Sequence, residues 1–159
     1  MNKNVNRARI QEGRTKNAVA KLLDQRLIVP KIFFDAAWPS SSSHVDLLAV
    51  DRAGAGDIHV VEVDQAARQR EAVTRAFHQS AHYKYAALIG SDPFFLPEQD
   101  LYSEDGLGRV GIIRISQTDK GNLVAQVEIV PERFRVKPEI IKRIDQFTAR
   151  EQADIEVRS

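Results

Sequence analysis

Three acidic residues lie in or directly after segments that are otherwise typical of β-strands. Glu62 stands in VVEVD among three valines, and Asp46 interrupts HVDLLAV in the same way. Burying an unpaired carboxylate costs on the order of several kcal/mol or more. The chain must therefore pair these groups, bind a cation with them, or place them at a cleft.

Glu62 and Asp64 are two residues apart and share one face of a strand. Whether Asp46 joins them depends on the glycine-rich turn between the two acidic strands. A three-residue loop pairs Ala53 with Asp57 and sets Asp46 opposite Asp64, whereas a four-residue loop turns Asp46 to the other face. A glycine at the third loop position favours the shorter loop. We expect three clustered carboxylates, which repel one another and suit Mg²⁺ or Mn²⁺. The alternative is acids that are exposed, or paired with Arg or Lys.

The elements that must position these acids follow from the hydrophobic periodicity. It predicts a basic amphipathic helix over 7–25, strands over 27–34, 44–51 and 57–64, a helix over 65–84, strands over 85–90, 110–116 and 123–130, and a last helix over 138–150. Residues 91–108 predict an irregular acidic segment with one helical turn at 98–101. This order predicts a single α/β domain over residues 1–150, a mixed β-sheet flanked by helices, with a frayed tail over 151–159.

Composition excludes several classes of protein. The chain has 159 residues, 43% hydrophobic and 28% charged, which is typical of one globular domain. No apolar run approaches the roughly 18 residues that span a bilayer, and the first residues lack the hydrophobic segment of a signal peptide. We therefore expect a cytoplasmic protein with no membrane partner. Because the chain has no cysteine, thiol catalysis and cysteine-ligated zinc are excluded.

The near-neutral net charge of +1 conceals a strong asymmetry along the chain. Residues 1–31 contain eight Lys or Arg and two acids, a net charge of +6, whereas residues 32–130 contain eight and fourteen, a net charge of −6. This distribution is expected if the basic segment meets phosphates and the acidic region holds a cation. A solvated basic helix that balances acidic loops is the alternative.

The order of elements and acids resembles the PD-(D/E)XK (restriction-endonuclease-like) nuclease superfamily, whose core is αβββαβ. Glu12 matches the glutamate of the first helix, Asp46 the motif aspartate and Glu62 the motif glutamate. Gln79 and Tyr83, in QSAHY, match the Gln-x-x-x-Tyr that some branches carry near the end of the second helix. The resemblance covers roughly residues 7–90.

The sequence departs from the family at the motif lysine, whose position is taken by Asp64. In the family this lysine activates the attacking water and stabilises charge at the phosphate, and an aspartate cannot do the second. Lys31, Arg68 or Lys84 could supply the basic group instead. The catalytic residues that the resemblance implies are Glu12, Asp46, Glu62, Asp64, Gln79, Tyr83 and Lys84.

The resemblance implies metal-assisted hydrolysis of phosphodiester bonds in DNA. Asp46 and Glu62 would hold Mg²⁺ or Mn²⁺, and the DNA backbone would be contacted by Arg7, Arg9, Arg14 and Lys16. Two alternatives stay open: a catalytically inactive relative that binds nucleic acid or a protein, and an unrelated α/β interaction protein with solvated acids. Whether the chain forms a homodimer is left open as well.

Overall fold

The computed structural model describes residues 3–38, 44–52, 56–143 and 148–152, with side chains described only within residues 12–143. The helices are α1 (Lys3–Arg26), α2 (Gln69–His78) and α3 (Pro138–Ile141), and Ala66–Arg68 and Glu98–Leu101 form short 3-10 helices. The strands are β1 (Pro30–Ala37), β2 (His44–Asp51), β3 (Asp57–Gln65), β4 (Tyr83–Ile89), β5 (Gly111–Gln117), β6 (Leu123–Ile129) and β7 (Thr148–Gln152). None of the described helices is long and apolar enough to cross a bilayer.

One mixed sheet joins all seven strands in the order β6-β5-β4-β3-β2-β1-β7. The pairs β3–β4 and β4–β5 are parallel, and the other neighbours are antiparallel. The parallel pair β3–β4 needs a crossover connection, which α2 supplies. The predicted α/β domain with a mixed sheet flanked by helices is therefore confirmed, and its first six elements follow the predicted αβββαβ order.

The two long helices cover opposite faces of the sheet. Val19 and Leu23 of α1 pack against Leu47 and Val61, which point to one side, the α1 face. Ala72 and Ala76 of α2 pack on the other side, the α2 face, among the residues of a second apolar cluster. Since side chains alternate along a strand, Glu62 and Asp64 belong to the α2 face, and both contact Arg75 of α2 there.

The connection between β2 and β3 is longer than predicted. Asp51 pairs with Asp57 and Leu47 with Val61, so the register sets Asp46 in line with Glu62 and not with Asp64. The three-residue loop is wrong because the end of β2 is tied to the turn after α1, where the carboxylate of Asp51 accepts the N–H of Val29 at 3.1 Å. Asp46 lies beyond this regular pairing, where its carboxylate accepts the N–H of Val63, so the register does not establish the predicted sharing of one face by Asp46, Glu62 and Asp64. Residues 53–55 of this turn lie outside the described residues.

Helix α2 ends earlier than predicted. Gln79 has an extended backbone with φ −84° and ψ 147°, which stops the helix at His78. The N–H of His82 then bonds the carbonyl of Ile58 at 3.0 Å, and β4 begins at Tyr83. Gln79 and Tyr83 therefore do not share a helix.

The C-terminal helix predicted over 138–150 is also wrong. Helix α3 has four residues, 144–147 lie outside the described residues, and Thr148–Gln152 forms β7 against β1. Strand β7 continues two residues past the predicted domain limit at 150. The remainder of the predicted tail, 153–159, lies outside the described residues.

Candidate functional site

A cleft of about 320 Å³ opens at the end of the sheet where β2 begins and β3 ends. It lies beside the carboxyl ends of the parallel strands β3 and β4, the common position of ligand sites in open α/β sheets. Its lining comes from α1, β2, β3 and β4, and its polar residues include Glu12, Thr15, Lys16, Asp46 and Asp64. Three of the acids predicted to be functional are thus brought to one opening.

Asp46 lies in the gap between β2 and β3. Regular pairing of these strands ends at Leu47 and Val61, and the freed N–H of Val63 donates to Asp46 Oδ2 at 2.7 Å. Burial raises the pKa of Asp46, although this hydrogen bond and the charges of Lys16 and Arg75 oppose the rise. The positive charge around Asp46 is therefore too small to offset its loss of water.

Glu62 is only 3% exposed and lies on the α2 face of β3. Its Oε2 accepts a hydrogen bond from Arg75 at 3.2 Å, while its Oε1 is buried and accepts none. Burial raises the pKa of Glu62 to about 7, and the negative charge of Asp46 adds to the rise, against the opposite effects of Arg75 and of a hydrogen bond from the backbone of Asp46. Glu62 is therefore a buried carboxylate with one unused oxygen beside a second acid.

Arg75 joins three acceptors with one guanidinium group. Its Nε reaches Glu62, its Nη1 lies 2.9 Å from Asp64 Oδ2, and its Nη2 donates to the carbonyl of Val63 at 3.0 Å. Burial alone would lower the pKa of Arg75, but its bonds to Asp64 and Glu62 raise it. Asp64, at the position of the expected lysine, therefore anchors a cation supplied by α2.

Lys16 is a second cation in the cleft and is only 3% exposed. Its Nζ lies 2.6 Å from Asp35 Oδ1 and 2.8 Å from Glu12 Oε1. Burial acts to lower the pKa of Lys16, yet its hydrogen bonds to Asp35 and Glu12 and the charge of Asp46 raise it overall. Lys16 is thus buried among carboxylates where it lines the cleft, and its predicted contact with phosphate stays a prediction.

Asp35 has a positive φ of 50°, the one such value among the described residues other than glycine. Its neighbours Phe34 and Ala36 pair with Leu47 and Val45 of β2, whereas this register does not include Asp35 itself. Asp35 is therefore an irregular position inside β1. A left-handed backbone is strained for most residues and is better tolerated by aspartate. In this conformation the Asp35 carboxylate accepts a hydrogen bond from Lys16 of α1.

The other residues predicted to contact phosphate lie on α1. Arg14 is exposed and its Nη2 donates to the carbonyl of Gly121 at 2.6 Å. The side chains of Arg7 and Arg9 lie outside the described residues.

Gln79, Tyr83 and Lys84 do not line the cleft. Gln79 Nε2 lies 3.4 Å from the carbonyl of His44 at the start of β2, and Tyr83 stacks on the ring of His59 at 4.6 Å. Lys84 Nζ donates to the carbonyl of Phe77 and lies 4.2 Å from the centre of the Phe134 ring. Burial lowers the pKa of Lys84 to about 8.

Sequence reasoning missed Arg75 and Asp35. Arg75 is an ordinary arginine on an amphipathic helix, and its spacing does not distinguish it from other arginines. Arg68, one of the predicted sources of the basic group, lies 3.9 Å from Asp64 and is largely exposed. Asp35 did carry a signal, since it is a lone acid in the apolar strand PKIFFDAA, as Glu62 is in VVEVD.

The donor set was tested against a divalent cation. Among the residues whose placement is described, no three His, Cys, Asp or Glu side chains converge. Mg²⁺ commonly takes one or two carboxylates and completes its shell with water and phosphate oxygens. Asp46 and Glu62 are neighbouring acids with raised pKa values, and Glu62 Oε1 is a buried oxygen without a partner. These two side chains are therefore the ones that would hold such an ion, although Glu62 is not among the residues that line the cleft.

Comparison with known proteins gives a structural likeness and no family. No protein-family profile matches the chain, and no curated protein matches it. A solved structure, the SPO1766 protein of unknown function from Silicibacter pomeroyi, is similar with a TM-score of 0.51 at 15% sequence identity. The match covers 82% of this chain and 80% of that one, and at this identity it supports the fold alone.

Proposed function

We propose that this protein is a divergent metal-dependent nuclease that hydrolyses phosphodiester bonds in DNA, as its resemblance to the PD-(D/E)XK superfamily implies. The observation that carries the proposal is Glu62, a buried carboxylate with an unpartnered oxygen beside Asp46. A chain that used these acids only for stability would be expected to pair them fully. We also propose that the protein acts in the cytoplasm.

The balance of charge supports the binding of a cation. Three cations, Lys16, Arg75 and the largely exposed Arg68, lie among five acids at this end of the sheet, which are Glu12, Asp35, Asp46, Glu62 and Asp64. The raised pKa values of Asp46 and Glu62 follow from burial in this acid-rich surrounding. A divalent ion would favour both carboxylates in their charged form.

Asp46 and Glu62 would hold the ion. When bound, Mg²⁺ would polarise the scissile phosphate and lower the pKa of a coordinated water. Arg75 would supply the positive charge that the missing lysine supplies in the family, since its Nε lies 3.2 Å from Glu62 and Asp64 holds its Nη1. Arg14, on the exposed side of α1, remains available to contact the DNA backbone.

One observation favours a second function, a catalytically inactive module that binds nucleic acid. The guanidinium of Arg75 contacts Glu62, Asp64 and the carbonyl of Val63, acceptors that a metal ion would also use. In such a module Arg75 would replace the ion, and the protein would bind DNA without cutting it.

A cleavage assay on plasmid and single-stranded DNA distinguishes the two. A nuclease cuts with Mg²⁺ or Mn²⁺, and Asp46→Asn and Glu62→Gln each lower the rate by at least about 100-fold. Asp57→Asn is the matched control, because Asp57 is an acid of the same strand that pairs with Arg133 at the far end. Binding that weakens with salt, without cleavage under either metal, would establish the second function and exclude the first.

A further inference from the structure

A second cavity, of about 470 Å³, lies between the segment 91–108 and the end of β6. Five apolar residues line it, namely Phe94, Leu96, Leu101, Ile129 and Val130, together with the charged Glu98, Arg109 and Glu128. The volume is within the range of about 300–1,000 Å³ that is typical of ligand clefts. We call this cavity and the adjoining edge of β6 the β6 groove.

The segment that forms the outer wall is firmly held. Gln69 is fully buried beneath it, and its side chain accepts the N–H of Phe95 at 2.9 Å and donates to the carbonyl of Pro93 at 3.2 Å. Leu96 and Leu101 are anchored in the apolar cluster under α2. The cavity is therefore preformed and needs little ordering to accept a ligand.

Apolar surface continues outside the cavity. Phe95, which adjoins Phe94 and Leu96 of the wall, is 59% exposed, and Val130, itself part of the wall, is 55% exposed. Exposed aromatic surface around a preformed apolar pocket marks an interaction site more often than isolated exposed residues do.

Strand β6 ends the sheet on this side, and within the described part of the chain it pairs only with β5. An edge strand directs alternate N–H and C=O groups outward, and an extended peptide can pair with them. The sequence of β6, LVAQVEI, contains no lysine or proline to block such pairing.

The charge around the groove identifies the kind of ligand. Segment 91–108 contains five acids and no Lys or Arg. Arg109, the cation that lines the cavity, is occupied: its Nε donates to the carbonyl of Val130 at 2.9 Å and it lies within 4 Å of Glu98 and Glu132. Glu98 stays largely exposed at the rim. Glu128, the other acid of the lining, is paired with Arg114 at 3.0 Å, so the negative charge around the groove comes from the excess of acids in segment 91–108. This excess disfavours a nucleic acid and suits a basic ligand.

We propose that the β6 groove binds an extended basic segment of a partner protein, which pairs with β6 and places a large apolar side chain in the cavity. Backbone pairing would supply affinity, and the cavity and acidic rim would select a peptide with an apolar anchor between Lys or Arg residues. This site is separate from the proposed nuclease site and does not depend on it.

The test is fluorescence anisotropy of a short labelled peptide in which Lys alternates with Val around a central Phe. We expect saturable binding to the full chain that the same peptide with Glu in place of Lys does not show. Changing the central Phe to Ala should weaken binding about tenfold or more. Amide shifts in NMR spectra should map to 123–130 and to 94–101.

Val130→Lys, which adds a repelling charge at the groove, should abolish binding of the Lys peptide. Ile28→Lys is the matched control, since Ile28 is 79% exposed in the turn between α1 and β1 and should leave binding unchanged. The proposal is overturned if the Lys peptide does not bind, if the Lys and Glu peptides bind equally, if Val130→Lys has no effect, or if oligo-dT displaces the peptide and gives the same amide shifts.

Discussion

The Nη1 atom of Arg75 lies 2.9 Å from the Oδ2 atom of Asp64. Asp64 stands where the resemblance calls for a lysine, yet a positive charge is still present beside Glu62 because Asp64 anchors Arg75 there. A cation from α2 therefore lies near the place where the family has its lysine. Asp64 and Arg75 can be tested together, because one anchors the other.

Arg75→Ala should lower metal-dependent cleavage by roughly 100-fold or more, because the variant removes the positive charge beside Glu62. The double variant Asp64→Lys with Arg75→Ala should recover most of the rate, since it supplies an ammonium group from residue 64. Initial rates of plasmid nicking measure both.

Arg68→Ala is the control for these variants, because Arg68 lies on the same side of the α2 region but is largely exposed and 3.9 Å from Asp64. Its rate should stay within about twofold of the wild type. Full activity of Arg75→Ala, with an unchanged melting temperature, would exclude the role given to Arg75.

Glu62 should make the folded state less stable as the pH rises. Its pKa is about 7 in the folded protein and 4.5 as the ordinary value, so the folded state keeps its proton between these values while the unfolded state loses it. Stability therefore falls from about pH 4.5 to pH 7, by on the order of 3 kcal/mol at most for this group.

Urea unfolding of wild type and Glu62→Gln at several pH values measures this effect. The difference in the free energy of unfolding between the two should shift in favour of the variant across that interval. Parallel pH profiles for the two proteins would show that Glu62 has an ordinary pKa. Addition of Mn²⁺ should reduce the dependence in the wild type, because bound metal favours the carboxylate.

Asp35 should stabilise the junction of α1 and β1 through Lys16. Asp35→Asn keeps a residue that tolerates positive φ but removes the charge from the 2.6 Å bond to the buried Lys16, so a loss of about 1–3 kcal/mol is expected. Glu12→Gln changes the other partner, whose side chain is 59% exposed, and should cost less than about 1 kcal/mol. Equal losses for the two variants in urea unfolding would contradict this ranking.

Two glycines should respond in opposite ways to alanine. At Gly108, where φ is 123°, an added Cβ would lie 2.5 Å from the Phe134 ring, so Gly108→Ala should lower the melting temperature strongly. At Gly13, inside α1, an added Cβ meets nothing within 4 Å, and Gly13→Ala should add about 0.5–1 kcal/mol to stability. Thermal unfolding by circular dichroism measures both, and stabilisation by Gly108→Ala would show that Phe134 does not pack there.

The sequence predicts those elements whose pattern is local. Strand β2 is found at the predicted residues, 44–51, and the helical turn at 98–101 is also confirmed. Glu62 and Asp46 could be identified because a lone acid in an apolar strand is anomalous whatever surrounds it. Recognising such an acid requires no knowledge of tertiary contacts, so the sequence alone is sufficient to identify it.

The misassigned parts depend on tertiary contacts. Strand β7 has the polar sequence TAREQ, and it is a strand because β1 offers an edge to it. The end of α2 is set by pairing at Ile58, and Arg75 acquires its role only when α2 lies across β3. None of these relations leaves a periodic signal in the sequence.

The most direct measurement for the proposed nuclease is a crystal structure with Mn²⁺, read from its anomalous difference map. We expect one strong peak between the carboxylates of Asp46 and Glu62, with Glu62 Oε1 as a ligand, and loss of that peak in Glu62→Gln. A map with no peak there, and with Arg75 still bonded to Glu62, Asp64 and the carbonyl of Val63, would contradict the metal site and leave the protein a binding module.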